Sequence, residues 1–343
     1  MLSLEQFTQE AITIFSLSFL GFCVAMLLTP IYTFFAYRYK LWKQKRVTST
    51  TGEALSVVSA QSTRTRNVPT MAGLIVLVAV TIITLIFNLD REQTWLPLVA
   101  MLGGGFVGLI DDFINVRGNG QGVAGLRAPI KFAMITAVAA LCAWFFYYKL
   151  GYTTVHIPFA GDLALGWMLI PVFTLVVVSA GNAVNISDGL DGLAGGLLMS
   201  AFGAFGIIAA LQGNFGIAAF CMTVVGALLS YLWFNIAPAR FFMGDVGSFA
   251  LGISLGVVAM LTDTLFLLPI IGLVFVLEAG SSLIQIFSKK VFHRKVFIAA
   301  PIHHHLQALD WPKTKVTMRF WVIGQVCAAI GVILALTGGY ITK

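Results

Sequence analysis

The chain has 343 residues, 59% of them hydrophobic and only 10% charged, with a mean hydropathy of +0.93. That composition excludes a soluble domain and identifies a polytopic membrane protein. The net charge of +7 is accounted for by retention of Lys and Arg on the cytoplasmic side of a membrane, so no nucleic-acid partner is expected.

Ten windows long enough to cross a core of ~30 Å follow in order: Ala11–Phe35, Met71–Phe87, Trp95–Ile110, Ile130–Tyr148, Leu165–Val184, Leu193–Leu211, Phe215–Phe234, Phe249–Leu261, Phe266–Phe287 and Phe320–Leu336. The eighth is short. Glu5 and Glu10 precede the first window, with neither a basic start nor a small-residue cleavage site, which predicts a retained helix rather than a signal peptide. The fold class expected is therefore an all-α polytopic integral membrane protein of about ten transmembrane helices, one domain over 1–343.

Charge sets the orientation. Of the 21 Lys and Arg, all but Arg91, Lys149 and Lys343 fall in or beside the loops after odd-numbered windows, at about 36–70, 111–129, 185–193, 235–248 and 288–319. Those loops are predicted cytoplasmic, and both termini periplasmic. Cys23, Cys142, Cys221 and Cys327 lie inside windows and read as small core residues without disulfides. The first loop is rich in Ser, Thr, Lys and Arg, as a segment against anionic lipid or a solvated basic loop would be. In the last, KKVFHRKVF alternates basic and apolar residues as an interfacial segment does.

The acidic residues gather at the ends of apolar windows, where charge is costly unless it faces a partner or a cavity. Asp111 and Asp112 follow GGGFVGLI; read alone such a pair is either a helix-end feature or, in a restricted site, a coupled pair that a cation neutralises, Mg²⁺ being the obvious one. In NAVNISDGLDGLAGG, Asn182 to Gly196, the residues Asn185, Asp188 and Asp191 are spaced by three and would share a face on a helical turn. Asp245 lies in FFMGDVGSFALG, where Ser248 is the expected helix cap. Several aspartates with no further ligand set suit a metal–diphosphate complex, since Mg²⁺ takes one or two carboxylates plus substrate phosphates. His303, His304 and His305 lack transition-metal spacing. In a basic loop facing acidic clusters they suit hydrogen bonds to phosphate or sugar, with Lys131 as a further counter-charge. Glu278, Gln285 and the kinking Pro269 interrupt the ninth window.

Together PTMAGL (Pro69–Leu74), GLIDDF (Gly108–Phe113), the Asn182–Gly196 segment, NIAPARFFMGDVGSFALG (Asn235–Gly252) and APIHHHLQALDWPKTKVTMRFW, ending at Trp321, resemble the polyprenyl-phosphate N-acetylhexosamine-1-phosphate transferases. The HHH run followed by WP and RFW is similar to the MurNAc-peptide branch rather than the GlcNAc branch. The resemblance implies transfer of phospho-MurNAc-pentapeptide from UDP-MurNAc-pentapeptide to undecaprenyl phosphate, giving lipid I and UMP for peptidoglycan synthesis, at the cytoplasmic face of a bacterial inner membrane. It implies Mg²⁺ as cofactor, with Asp245 as its ligand. Asp111, Asp112, Asp245 and His303 would form the catalytic set. Lys131, Asn182, Asn185, Asp188, Asp191, Asn235, Phe242, Gln285, His304 and His305 would contact substrate. Membrane lipid and a second copy in a homodimer are the further partners implied. Departures from the family pattern are Thr65 in place of a Lys, Ala72 for a Gly, Leu306 for a Phe and Gln307 for a Glu.

The alternatives are a UDP-GlcNAc:polyprenyl-phosphate GlcNAc-1-phosphate transferase, an intramembrane prenyltransferase and a transporter. The prenyltransferase would carry two similar Asp-rich repeats, and DD differs from NxxDxxD. The transporter would place ionisable groups at mid-membrane, where only Glu278 qualifies.

Overall fold

Backbone in hydrocarbon finds no water to bond and must close its own hydrogen bonds, which long apolar runs do by forming helices. The computed structural model describes residues 4–42, 68–90, 92–118 and 125–341. In it α1 spans Leu4–Arg38, α2 Gly73–Phe87, α3 Trp95–Arg117, α4 Ala128–Tyr148, α5 Leu169–Ser187, α6 Leu193–Leu211, α7 Phe215–Asn235 and α8 Gly244–Leu261. The ninth apolar window is broken at Gly272 into α9, Leu268–Ile271, and α10, Leu273–Phe292. The short α11, Ile302–Ala308, precedes α12, Lys313–Thr337. Among the described residues, eight helices are long and apolar enough to cross a membrane. The 15-residue α2 and the broken α9–α10 segment occupy the other two windows, in keeping with an all-α polytopic membrane fold.

Two departures from the sequence reading matter. A small antiparallel hairpin, β1 Thr154–Ile157 and β2 Gly161–Ala164, fills the polar interval before α5, pairing His156 with Asp162. A search for spans of ~20 residues passes over strands of four. In addition, helices outrun their apolar windows, because backbone hydrogen bonding continues past the last apolar side chain. Thus α3 carries Asp111 and Asp112 within its last turns instead of in a following loop, and α8 starts at Gly244 instead of Phe249.

The centre of the molecule is α8, in which every residue except Asp245 is buried. It packs most extensively against α3 and α5, and also against α2 and α6. Small residues permit this. A Cβ on Gly108 of α3 would overlap the backbone of Asp245 and Val246, so the two helices touch chain to chain at the point where their acidic residues lie. Around this centre α1 packs on α7, α12 on α6, and α4 and α10 on α5. The ends of α1, α3, α5, α7 and α10 meet the starts of α2, α4, α6, α8 and α12 at one end of the bundle. Both ends of the described chain lie at the opposite one, with the hairpin. All four cysteines are free.

Candidate active site

Three helix ends bring the first group together. Lys131, in the first turn of α4, places Nζ 2.9 Å from Asp111 Oδ2 on α3 and 2.9 Å from Asp245 Oδ2 on α8. The Leu126 amide donates to Asp111 Oδ1 at 2.7 Å. Asp111 and Asp112 are buried, while Asp245 keeps 13% of its side chain exposed and Lys131 19%. Charge-assisted bonds of this length are the strong kind, and exclusion of water strengthens them further. The cation between the carboxylates in this structure is thus the Lys131 ammonium. Adjacent residues on a helix point about 100° apart, so the DD pair divides its work. Asp112 faces the start of α8, where its Oδ2 accepts from the Val246 amide at 3.1 Å.

This corrects the expected cap. Because α8 starts at Gly244, Ser248 lies inside it and donates to Gly244 O at 3.1 Å, while Asp112 receives an N-terminal amide of α8 from across the helix interface, as a cap does. Ser248 Oγ also accepts from Asn185 Nδ2 at 2.8 Å, joining α5 to the helix that carries Asp245.

The second group is a turn. α5 ends at Ser187, Asp188 stands at its C-cap, and α6 starts after Gly192, whose φ is +75°. The face expected to hold Asn185, Asp188 and Asp191 therefore does not exist as one helical face, because the helix stops before Asp191. The turn is held from outside. Asn235 accepts from the Gly192 amide at 2.9 Å and donates to Phe241 O at 2.8 Å. Asp191 Oδ2 accepts from the Ala239 amide at 3.2 Å. From α12, Thr317 donates to Asp191 O at 3.3 Å and Trp321 to Gly192 O at 3.0 Å.

The histidine loop meets this turn. His303 is buried, with Nδ1 2.7 Å from Glu278 Oε2, and its ring lies where a Cβ on Gly189 would go. His304 Nδ1 bonds Gln307 Oε1 at 2.9 Å, and burial together with the neighbouring His303 pulls the His304 imidazole down to about 4. His305 accepts from the Ile298 amide at 3.3 Å. Gln285 is fully engaged with that loop, donating to Phe297 O at 2.9 Å and accepting from the Val296 and Phe297 amides at 3.0 Å. Phe242 bonds through its backbone to Pro69 and Ala72, and the Asn182 amide returns to Val178 O of its own helix at 2.8 Å.

The structure thus joins Lys131, Asp111, Asp112 and Asp245 in one cluster, and links it through Asn185 to the Asp188–Asp191 turn and through that turn to His303. Asn235 and Gln285 brace loops in this structure. Thr65, Arg64 and Arg66 lie outside the described residues. Thr70, buried beside Asp112 at Gly244, stood in the PTMAGL motif but was given no site role, having no charge to mark it. Glu278 was visible as the lone acid of an apolar helix, without a partner to name. Among the described residues no three His, Cys, Asp or Glu side chains form a ready-made metal cage. Two carboxylates already sharing one cation nevertheless fit a hard divalent ion that completes its shell with substrate oxygens.

Comparison with known proteins adds an independent line. A family model described as glycosyl transferase family 4 matches residues 94–263, from before α3 to just past α8. A phospho-N-acetylmuramoyl-pentapeptide-transferase of Chloroflexus aurantiacus is 39% identical over 333 residues, covering 93% of this chain and 88% of the relative. Proteins of the same name from a Geobacillus species and from Bacillus pumilus are 36% and 34% identical, covering 91% and 94% of this chain and 95% and 98% of their own.

Proposed function

The chain belongs to the phospho-N-acetylmuramoyl-pentapeptide-transferase family, and from that membership we propose that it transfers phospho-MurNAc-pentapeptide from UDP-MurNAc-pentapeptide to undecaprenyl phosphate, yielding lipid I and UMP for peptidoglycan synthesis. A phosphate oxygen of the prenyl monoester bonds to the β-phosphorus, and the bond from that phosphorus to the bridging oxygen breaks with UMP as leaving group. The acceptor, with a second pKa of about 6, is already largely dianionic at neutral pH, so no residue need remove a proton. Positioning and charge neutralisation do the catalysis.

The observation that carries this reading is the sharing of Lys131 Nζ by Asp111 and Asp245 at 2.9 Å each, one helix turn from the bond between Ser248 and Asn185. Lys131 supplies a fixed positive charge for the diphosphate. Asp112 fixes the start of α8 and with it the direction of Asp245. Asp188 and Asp191 offer acceptors to the nucleotide sugar, and His303 borders their turn. Mg²⁺, held by Asp245 beside Asp111, would neutralise the phosphate oxygens when bound.

The lipid acceptor needs an apolar path. A cavity of about 520 Å³ lies between α5, α8, α9 and α10, lined by Val176, Ala180, Leu255, Pro269, Phe275 and Leu283 among others. Gly272, where the segment breaks, is part of its lining, and the prenyl chain would lie there with its phosphate at the polar end. That end faces the cytoplasm of a bacterial cell by the positive-inside pattern.

The test is UMP release by the purified protein with undecaprenyl phosphate, with and without Mg²⁺, comparing UDP-MurNAc-pentapeptide with UDP-GlcNAc. Mg²⁺-dependent release from the pentapeptide donor alone is expected. Release from UDP-GlcNAc alone would move the chain to the other branch, and none from either would end the transferase reading.

A further inference from the structure

Glu278 has no part in the reaction just described, yet it is a wholly buried carboxylate in the second turn of α10. Such a group persists in an apolar helix only with a partner and a purpose. The partner is His303, whose Nδ1 lies 2.7 Å from Glu278 Oε2, with the two side chains 1% and 0% exposed. A carboxylate accepting at Nδ1 fixes the proton on that nitrogen and leaves Nε2 as the ring atom for other work. Nε2 packs against Gly189, the residue between Asp188 and the rest of the substrate turn, where any Cβ would overlap it. Gly189 thus keeps the ring in contact with the turn.

Neither Nε2 of His303 nor Oε1 of Glu278 has a hydrogen-bond partner. Folded chains pair nearly all their buried polar atoms. A pair retained only for packing is readily replaced by apolar side chains of similar volume, which leave no polar atom unengaged. We propose that Glu278 is the positioning residue of His303. It holds the Nδ1 proton and the plane of the ring, so that Nε2 is the atom offered to the diphosphate sugar at the Gly189 turn. The identity of that ligand rests on the transferase reading; the link between Glu278 and His303 does not.

The full-length protein is compared as wild type, Glu278→Asp, Glu278→Gln, Glu278→Ala, His303→Ala and the Glu278→Ala/His303→Ala double variant. Glu278→Ala should lower kcat roughly 10- to 100-fold, the range seen when the outer partner of a metal-ligating histidine is removed, with KM for the nucleotide sugar little changed. Asp should restore more activity than Gln, whose amide can also donate and release the Nδ1 proton. The double variant should be no worse than His303→Ala, as expected for two residues acting through one. ¹⁵N NMR of histidine-labelled protein without substrate should show the Nδ1-protonated form of His303, lost in the Gln and Ala variants. Full activity in Glu278→Gln, additive losses in the double variant, or an unchanged tautomer in Glu278→Gln would each overturn the proposal. If Glu278→Ala does not fold, the Asp and Gln variants decide it. A wild-type protein that releases no UMP would count against the transferase reading alone, and the NMR comparison would still judge Glu278.

Discussion

At the end of the bundle that carries the hairpin, His156 bonds Asp162 Oδ1 at 2.6 Å through Nδ1 and Gly338 O at 2.8 Å through Nε2, while its backbone amide donates to Asp263 at 2.8 Å and Tyr340 OH donates to its carbonyl at 3.4 Å. At the other end Thr70 Oγ1, Glu278 Oε1, His303 Nε2 and Gln307 Nε2 are buried without hydrogen-bond partners. Thr84 Oγ1 is the matching atom toward the hairpin end among the described residues. Both ends contain histidine paired with a carboxylate, so residue type alone does not separate them. What differs is closure: a polar network whose members are all engaged fixes a shape, and one with open valences keeps capacity for a ligand.

The division can be broken by substitution. The largest effect is expected from Asp245→Asn, which should cut turnover by roughly 10²- to 10³-fold, as removal of a group acting on transition-state charge does. Its melting temperature should stay near that of the wild type, because Asp111 still holds Lys131. Turnover within tenfold of wild type would take Asp245 out of the chemistry. Gly108→Ala comes next, since its Cβ meets the backbone of α8 and not a yielding side chain. It should cost about 1–3 kcal/mol of stability and lose activity in step, and unchanged thermal unfolding would contradict the close approach. His156→Ala should cost about 1–3 kcal/mol through the hairpin end while leaving kcat and KM intact. An activity loss at equal folded fraction would erase the distinction between the ends.

The smallest effect is in pH. His304 is held near 4 in the folded chain, below the ordinary imidazole value of about 6.5. The unfolded chain therefore takes up this proton first. Stability from His304 is fully present above about pH 6.5 and declines as pH falls toward 4. A melting curve of His304→Gln should fall less steeply over that window than the wild type. Parallel curves would mean that His304 is protonated equally in both states.

The apolar windows marked every membrane-length helix among the described residues, because hydrocarbon leaves the backbone no other choice, though not the short α11, and the clustering of acids at window ends pointed to the candidate site. Residue pairing was less legible. Lys131 was visible as a counter-charge, but its position between Asp111 and Asp245 depends on how three helices cross. The capping of α8 by Asp112 depends on Gly108 letting two backbones touch. Spacing by three in the Asn185–Asp191 segment presupposed a helix that ends at Ser187. Asn235 and Gln285 were expected to contact substrate through the family resemblance, and in the structure their side chains bond to Gly192 and Phe241 and to Val296 and Phe297, contacts that no spacing in the sequence announces.

The burial of α8 also sets an order of assembly. The helices it packs against most, α2, α3, α5 and α6, all precede it in the chain. When residues 244–261 leave the ribosome, the slot that receives them has already been synthesised, as N-terminal-first folding favours. The carboxylate cluster can therefore close while α9 to α12 are still unmade, and α11 and α12 then bring His303, Thr317 and Trp321 to a centre already in place.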